Sequence, residues 1–390
     1  MDHQAQSLDL RGHLADRLAS QGALRTREWR AALEAVPREA FLGQYFHHLA
    51  GPGDETRWMP VVVDGTVDPG ILLKEIYSDE SLVTQLDGTI RPADVSVPVF
   101  GTPTSSATMP SLVIRMWENL LVDDLSMVAE VGTGTGYSTA LACERLGSHR
   151  VTSVDVDAVV VESAREALAV CGYQPRLAAA DALDGLPPAP AAGYDRVVAA
   201  CSLRSVPRGW LQATKPGGLV LLTLTGWLHA FALGRVEVTG PGTAEGWFLD
   251  DPASFMPARR EAAPGIGEIR TGAADEVRST ASISPVTLEE YPGRLLAQLA
   301  VPNVQQASGK RDGEAVEYLV DVTTDSYAVI NRDTRVVCQG GPVRIWDAIE
   351  AAIHAWRTAG SPAIDGFKVT ITAEHQFIGF EASPRLWHLP

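Results

Sequence analysis

Paired cysteines, a surplus of positive charge, metal-ligand spacings and a long apolar helix are all missing from this sequence. The four cysteines, Cys143, Cys171, Cys201 and Cys338, include no CxxC pair. That usage fits a reducing cytoplasm in which thiols serve as small core residues. The nine histidines show no ligand spacing, and adjacent His47 and His48 cannot share one helix face, so no metal is expected. Lys and Arg number 32 against 48 Asp and Glu, a formal charge of −16. Neutralising phosphates needs a clustered basic excess, so nucleic acid is not an expected partner. Residues 1–10 lack a basic segment followed by an apolar core, and no secretory signal is expected. The longest charge-free stretch, Gly217–Gly234, approaches the ~20 residues of a spanning helix. Its glycines, threonines and His229 fit two buried strands joined by a turn instead, so no membrane span is expected.

What is present describes a globular protein. The chain has 390 residues, 45% hydrophobic and 21% charged, long enough for two domains at ~100–200 residues each. Apolar spacing predicts a helix in "LRGHLADRLASQG". A second is predicted in "TREWRAALEAV", with Thr26 as N-cap, Trp29, Ala32 and Leu33 on one face, and a stop before Pro37. Residues 51–104 are rich in Gly, Pro and Asp with short strand-like pieces such as "PVVVDG", an irregular inserted region suited to a lid or binding segment. From Pro110 onward helices and strands alternate: "PSLVIRMWENLL", "SMVAEVGTGTG", "GYSTALACERLG", "VTSVDVD", "AVVVESAREALAVCG", "RLAAADAL" and "DRVVAAC". Such alternation implies a parallel sheet covered on both faces, with "GGLVLLTLT" and "HAFALGRVEV" as an antiparallel pair at its edge.

Beyond residue 240 the pattern changes. "TGAADEVRSTASISP" reads as a polar linker. "VEYLVDVTTDSYAVI" and "FKVTITAEHQFIGFE" alternate as strands do and flank an amphipathic helix running from Pro342 to Gly360. The expected domains are therefore 1–240, with the insertion at about 51–104, and a C-terminal α+β domain, 241–390.

The stretch "EVGTGTGYST" (Glu130–Thr139) joins a strand to a helix through Gly132, Gly134 and Gly136. Glycines there let the backbone turn sharply and let a ligand approach closely. No Gly-Lys-Ser/Thr follows, which excludes a P-loop. Tyr137 stands where a dinucleotide fingerprint needs its third glycine. Asp155 ends the next strand, placed to accept both hydroxyls of a ribose, and Asp181 ends the third, placed to accept the amine of an adenine. Glu130 would favour a ligand carrying an ammonium or sulfonium charge. Together they describe a site for S-adenosylmethionine, with S-adenosylhomocysteine as product, built from Glu130, Gly132, Thr133, Gly134, Gly136, Tyr137, Asp155, Val156, Asp181 and Ala182. The competing reading makes "GTGTG" a tight turn and the two aspartates helix caps.

Methyl transfer needs a nucleophile in line with the sulfonium carbon, and positioning supplies most of the catalysis. A carboxylate acceptor, with a pKa of ~4, is ionised at neutral pH and needs no base. The segments "AVPREAFL" (Ala35–Leu42), "SSATMPSLVIRM" (Ser105–Met116), "EVGTGTGYST" and "SVPRGWLQATKPGGLVL" (Ser205–Leu221) resemble, in that order, the protein-L-isoaspartate O-methyltransferase family over roughly residues 10–235. The resemblance implies a class I methyltransferase fold, a Rossmann-like, doubly wound, seven-stranded and mostly parallel sheet. It places the catalytic serine at Ser106, beside Ser105 and Thr108. Thr108 stands where the family usually has proline, which implies a reshaped acceptor pocket. Alternatively, Ser105 and Ser106 only cap the helix that begins near Pro110.

The pieces "PTSSATMPS", "GTGTGYSTA", "GWLHAFALGR" and "SFMPARRE" resemble an extended bacterial branch of that family, found beside peptide-maturation enzymes. That resemblance implies an aspartate methylated in a macrocyclised ribosomal precursor peptide, a lanthipeptide or graspetide, with an aspartimide (succinimide) and possibly isoaspartate as product. The alternative is general repair of isoaspartate in damaged proteins. The extra domain would then recognise the peptide, with Trp346, Trp356, Phe377 and Trp387 as contact or core residues and Arg259 and Arg260 as partners of an acidic peptide or a solvated pair. The expected state is a cytoplasmic monomer or weak dimer.

Overall fold

A computed structural model describes residues 3–50, 56–63, 68–190, 192–381 and 383–390. The chain forms two compact units: Met1–Ala200 with Pro207–Leu221, and Cys201–Val206 with Leu222–Pro390.

The first unit opens with α1 (His3–Ser20) and α2 (Arg27–Ala35). Thr26 caps α2 as the sequence predicts, its hydroxyl accepting from the Trp29 N–H, and Trp29, Ala32 and Leu33 form the buried stripe. Four strands follow, β1 (Gln44–Ala50) ahead of the region read as irregular and the others within it or at its end: β2 (Thr56–Val62), then α3 (Pro69–Ile76), β3 (Leu82–Leu86) and β4 (Pro103–Ala107). They make an antiparallel sheet in the order β2-β1-β3-β4. Short strands interrupted by Gly, Pro and Asp carry little periodicity, and the β3–β4 pairing spans the residues between Leu86 and Pro103, so local pattern does not reveal it. Of the expected strand "PVVVDG", Asp64 and Gly65 lie outside the described residues, as do 51–55 of the insertion.

Next come α4 (Pro110–Leu120), β5 (Val128–Val131), α5 (Tyr137–Leu146), β6 (Val151–Asp155), α6 (Ala158–Val170), β7 (Arg176–Ala179), β8 (Tyr194–Leu203), α7 (Arg208–Ala213) and β9 (Thr214–Leu224). Strands β7, β6, β5 and β8 lie side by side in that order and all run parallel. Every residue of β5 is buried, as befits a central strand of a sheet covered on both faces. Parallel strands end on one edge, and ligand sites of α/β sheets form there.

In the second unit β10 (Ala232–Gly240) and β11 (Thr243–Phe248) form a hairpin. The expected linker contains β12 (Val277–Thr280), followed by α8 (Tyr291–Ala300), β13 (Val304–Arg311), β14 (Glu314–Asp321), β15 (Ser326–Ile330), β16 (Val336–Gly340), α9 (Ile345–Thr358), β17 (Lys368–Ile371), β18 (Gln376–Gly379) and β19 (Leu386–His388). One antiparallel sheet runs β12-β16-β15-β14-β13, and β11, β17, β18 and β19 pair in turn. Each long alternating run of the sequence is a hairpin, broken at 322–325 and at 372–375. β12 escapes a composition-based reading because all four residues are exposed, so no hydrophobic alternation marks them. Helix α9 starts at Ile345 rather than Pro342, and Gly360 follows its end with φ +85°.

Arg38 joins the parts of the first unit. Its side chain is fully buried, and its guanidinium donates to the carbonyls of Ile76, Ser78 (3.1 Å), Glu80 (3.0 Å), Ala107 (3.2 Å) and Thr108 (3.2 Å). The Arg38 backbone N–H donates to the Tyr77 hydroxyl, which itself donates to Glu39. Burial lowers the pKa of the guanidinium, an effect countered by the charge of Asp79 and two tyrosines. Arg38→Met would strand these carbonyls in a dry interior, so unfolding in urea is expected to show a loss of about 3 kcal/mol or more. Arg38→Lys is expected to recover only part of it, because a compact ammonium cannot reproduce the planar fork.

Candidate active site

Strand β5 delivers the glycine loop to the carboxyl edge of the sheet. The Gly132 N–H donates to the Val154 carbonyl (2.8 Å), and Gly132, Gly134 and Gly136 take φ values of +94°, +52° and +90°. A Cβ at Gly136 would come within 3.2 Å of the Ala164 Cβ, so this glycine also lets α6 approach. Asp155, at the end of β6, accepts from the Gly134 N–H through Oδ2 (3.0 Å) and from the Asp157 N–H through Oδ1 (3.1 Å). Val156 beside it is apolar yet 44% exposed.

Glu130 is 1% exposed. Its Oε2 accepts from Ser153 (2.9 Å) and from Thr139 on α5, and Thr133 shares a hydrogen bond with Ser153 (2.8 Å). Its Oε1 is buried and has no partner among the described residues. Burial raises the pKa of this carboxyl, and the Ser138, Thr139 and Ser153 hydroxyls offset only part of the rise. The structure thus places Glu130 beneath the loop, joining β5, β6 and α5, with one oxygen uncommitted.

Asp181 follows β7 and accepts from the Leu183 N–H (2.9 Å) as cap of a short 3₁₀ turn, and the neighbouring Ala182 carbonyl accepts from the Trp210 indole (2.7 Å). Tyr137 turns inward: it is 3% exposed, its ring centroid lies 6.0 Å from that of Phe41, and the Arg38 guanidinium sits 5.8 Å over it. Its backbone, not its phenol, belongs to the loop. A turn with glycine at three of its five positions, the Glu130 carboxyl close behind it and carboxylates at two strand tips fit S-adenosylmethionine, which carries a nucleoside and a cationic amino-acid arm.

Strand β4 brings the two serines to this loop. Ser105 pairs across from Gln85, is 8% exposed, and its hydroxyl accepts from Thr84 (3.2 Å). Ser106 pairs with Val83 and is half-buried. Its carbonyl would lie 3.4 Å from a Cβ at Gly134, an ordinary packing distance, so strand and loop are neighbours there, and it is the φ of +52° rather than crowding that favours glycine. Neither serine caps α4. The Met109 N–H donates to Ser81 Oγ (3.0 Å) and the Ser111 N–H to Asp79 Oδ1 (2.8 Å), with Pro110 at the first turn. Thr108 is tied through its carbonyl to Arg38.

In the second unit, Arg259 and Arg260 are both exposed in a 3₁₀ turn. Trp346 and Trp387 are core residues at 1% and 3% exposure, whereas Trp356 and Phe377 are half-buried. Sequence reasoning did not single out Gln85, Asp157 or Asp79. A lone polar residue inside "LVTQL" and an aspartate two positions past another offer no distinguishing pattern. Among the described residues no helix is long and apolar enough to cross a membrane, and no group of three or more His, Cys, Asp or Glu could hold a metal ion.

A profile of the family described as Protein-L-isoaspartate(D-aspartate) O-methyltransferase (PCMT) matches residues 91–230. The chain is similar to the protein-L-isoaspartate O-methyltransferase of Rhodopseudomonas palustris, with 30% identity over 177 residues, 41% of this chain and 78% of that protein. It is also similar to that of Thermococcus onnurineus, with 34% identity over 131 residues, 33% of this chain and 57% of that protein. The match therefore spans little more than half of the second relative. A solved protein-L-isoaspartate O-methyltransferase structure superposes with a TM-score of 0.54 at 18% identity, covering 95% of this chain and 99% of that one, a likeness of fold.

The raised pKa of Glu130 has a signed consequence. Below the ordinary carboxyl value of 4.5 the group is protonated folded or unfolded; as pH rises through its elevated folded value, stability is lost. Glu130→Gln removes that loss. Thermal melts without ligand should show the variant gaining on the wild type as pH increases from 4 toward 8, while calorimetry shows weaker binding of adenosylhomocysteine.

Proposed function

Because the chain belongs to the protein-L-isoaspartate O-methyltransferase family, S-adenosylmethionine-dependent carboxyl O-methyltransferases, we propose that it methylates an aspartate side chain in a macrocyclised ribosomal peptide. The observation that carries the chemistry is the meeting of Ser106 with Gly134. Bound in the glycine cradle, S-adenosylmethionine supplies an electrophilic methyl group. Gly132–Gly136 and Asp155 hold the nucleoside end, with Val156 against its adenine and Asp181 and Ala182 at the adenine edge. Glu130 favours the cationic arm. The Ser106 hydroxyl donates to the acceptor carboxylate and orients one oxygen for in-line attack, and Ser105, engaged with Thr84, keeps the strand in register. No base is required, because the acceptor is already ionised.

A methyl ester makes the aspartate carbonyl a better electrophile. The next backbone nitrogen attacks it, its proton leaves with the methoxy group as methanol, and a succinimide remains, which water can open to isoaspartate. In this reading the first unit carries the methyltransferase chemistry and the chain beyond residue 240 recognises the peptide. The exposed Arg259 and Arg260 face an acidic substrate, and the half-buried Trp356 and Phe377 offer apolar contact. The enzyme works in the cytoplasm as a monomer or weak dimer on a lanthipeptide or graspetide precursor.

Mass spectrometry tests this directly. Given donor, the enzyme should add one methyl to the macrocyclised precursor and then lose methanol, while leaving its linear form and simple isoaspartyl peptides largely unmodified. Efficient turnover of linear isoaspartyl peptides alone would establish general repair instead. Ser106→Ala should lower kcat roughly tenfold to a hundredfold, the scale of lost positioning, while donor binding measured by calorimetry stays put.

A further inference from the structure

Starting from Ser106, a set of contacts in the first unit closes on itself. Two residues before it on β4, the Thr104 hydroxyl donates to Gln85 Oε1 (2.8 Å), and Gln85 Nε2 donates to Asp157 Oδ2 (3.0 Å). The Asp157 N–H donates to Asp155, which accepts the Gly134 N–H, and Gly134 lies against the Ser106 carbonyl. We propose that Gln85 is a positioning residue for methyl transfer, its side-chain amide fixing the serine strand against the donor loop; this rests on the reaction read above.

Several observations carry the assignment. Gln85 is 4% exposed in a strand whose buried positions are otherwise apolar, and a buried amide persists only where both ends are satisfied. Here one end meets a carboxylate, which accepts only, and the other a hydroxyl, so the partners themselves fix which way the amide points. The carboxylate is anchored in turn, because Asp157 Oδ1 caps α6 by accepting from the Val159 N–H (2.9 Å) and the Val160 N–H (3.2 Å). A charge-assisted bond to a capped helix is a firmer tether than strand pairing alone. The β3–β4 register also shifts on both sides of Gln85, between Val83 and Gln85 and between Gln85 and Leu86. Such irregularities re-aim a side chain at the expense of the ladder, and they recur next to active sites. The pairing is interrupted at a residue whose side chain reaches Asp157 at the start of α6.

The test inverts the hydrogen bond. In Gln85→Glu two carboxylates face each other. In Q85E/D157N the introduced amide donates to the introduced carboxylate, which still accepts from Thr104, while the amide oxygen still caps α6. Full-length wild type, Q85E, D157N and the double variant are compared for kcat on the macrocyclised peptide, for the adenosylhomocysteine Kd and for melting temperature. Q85E is expected to lower kcat on the order of a hundredfold, the effect of about 1 Å of misplacement, with the Kd changed far less. The double variant should recover most of that loss, a coupling measured by the cycle. A kcat that tracks melting temperature, or a double variant no better than Q85E, overturns the proposal. Crystals with adenosylhomocysteine give the second reading: Ser106 should withdraw from Gly134 in Q85E and return in the double variant, and an unmoved strand refutes the assignment. If the wild type methylates none of the peptides, the reaction reading fails, whereas strand displacement still decides whether Gln85 sets this distance.

Discussion

A single buried guanidinium organises the catalytic unit. Arg38 lies outside every regular strand and long helix, yet its donors terminate at the chain after α3 and at the two residues that lead out of β4. Carbonyls in such places have no ladder to satisfy them, and an unpaired buried polar group is costly. One planar cation with several divergent donors solves the problem at a point where three pieces of chain meet. Ser106 stands immediately before the first of the β4 carbonyls so held. The strand end that carries Ser106 is therefore held by a residue outside the proposed site.

The donor side is built on a different principle. Around Glu130 the sequence places hydroxyls rather than cations: Thr133, Thr139 and Ser153 surround a carboxyl that burial drives toward its neutral form. The buried Oε1 without a hydrogen-bond partner among the described residues is a local inconsistency of the kind found near functional sites.

Much of this was legible beforehand, and the reasons differ by element. The α/β alternation from Pro110 onward shows because buried parallel strands are continuous apolar runs and their helices have clear caps. The glycine loop and the strand-tip aspartates stand at the ends of β5, β6 and β7 as the strand–turn–helix pattern of the sequence implies. The four-stranded sheet between Gln44 and Ala107 did not show, since its strands are short, half-exposed and paired across long loops. Arg38 appeared within a quoted motif, but nothing in "AVPREAFL" announces that its side chain is buried or that it reaches carbonyls about seventy residues away. Trp346 reads as a helix core residue and is one, whereas Trp387, a candidate for peptide contact, is also core, because an aromatic's exposure is a tertiary property. Among Ser105, Ser106 and Thr108, only three-dimensional pairing tells which hydroxyl is engaged.

The irregular pairing between β3 and β4 has an evolutionary corollary. Neighbouring serines are chemically identical, so in the proposed reaction the choice between them rests on strand parity: a one-residue slip exchanges the two faces. Length changes in the connection between Leu86 and Pro103 leave parity intact, because both strands stay anchored at their own ends. An insertion or deletion inside either strand would present the wrong serine to the donor loop without altering a single functional side chain. Homologous sequences should accordingly tolerate gaps in that connection and hold the residue count from Gln85 to Leu86, and from Thr104 to Ser106, constant.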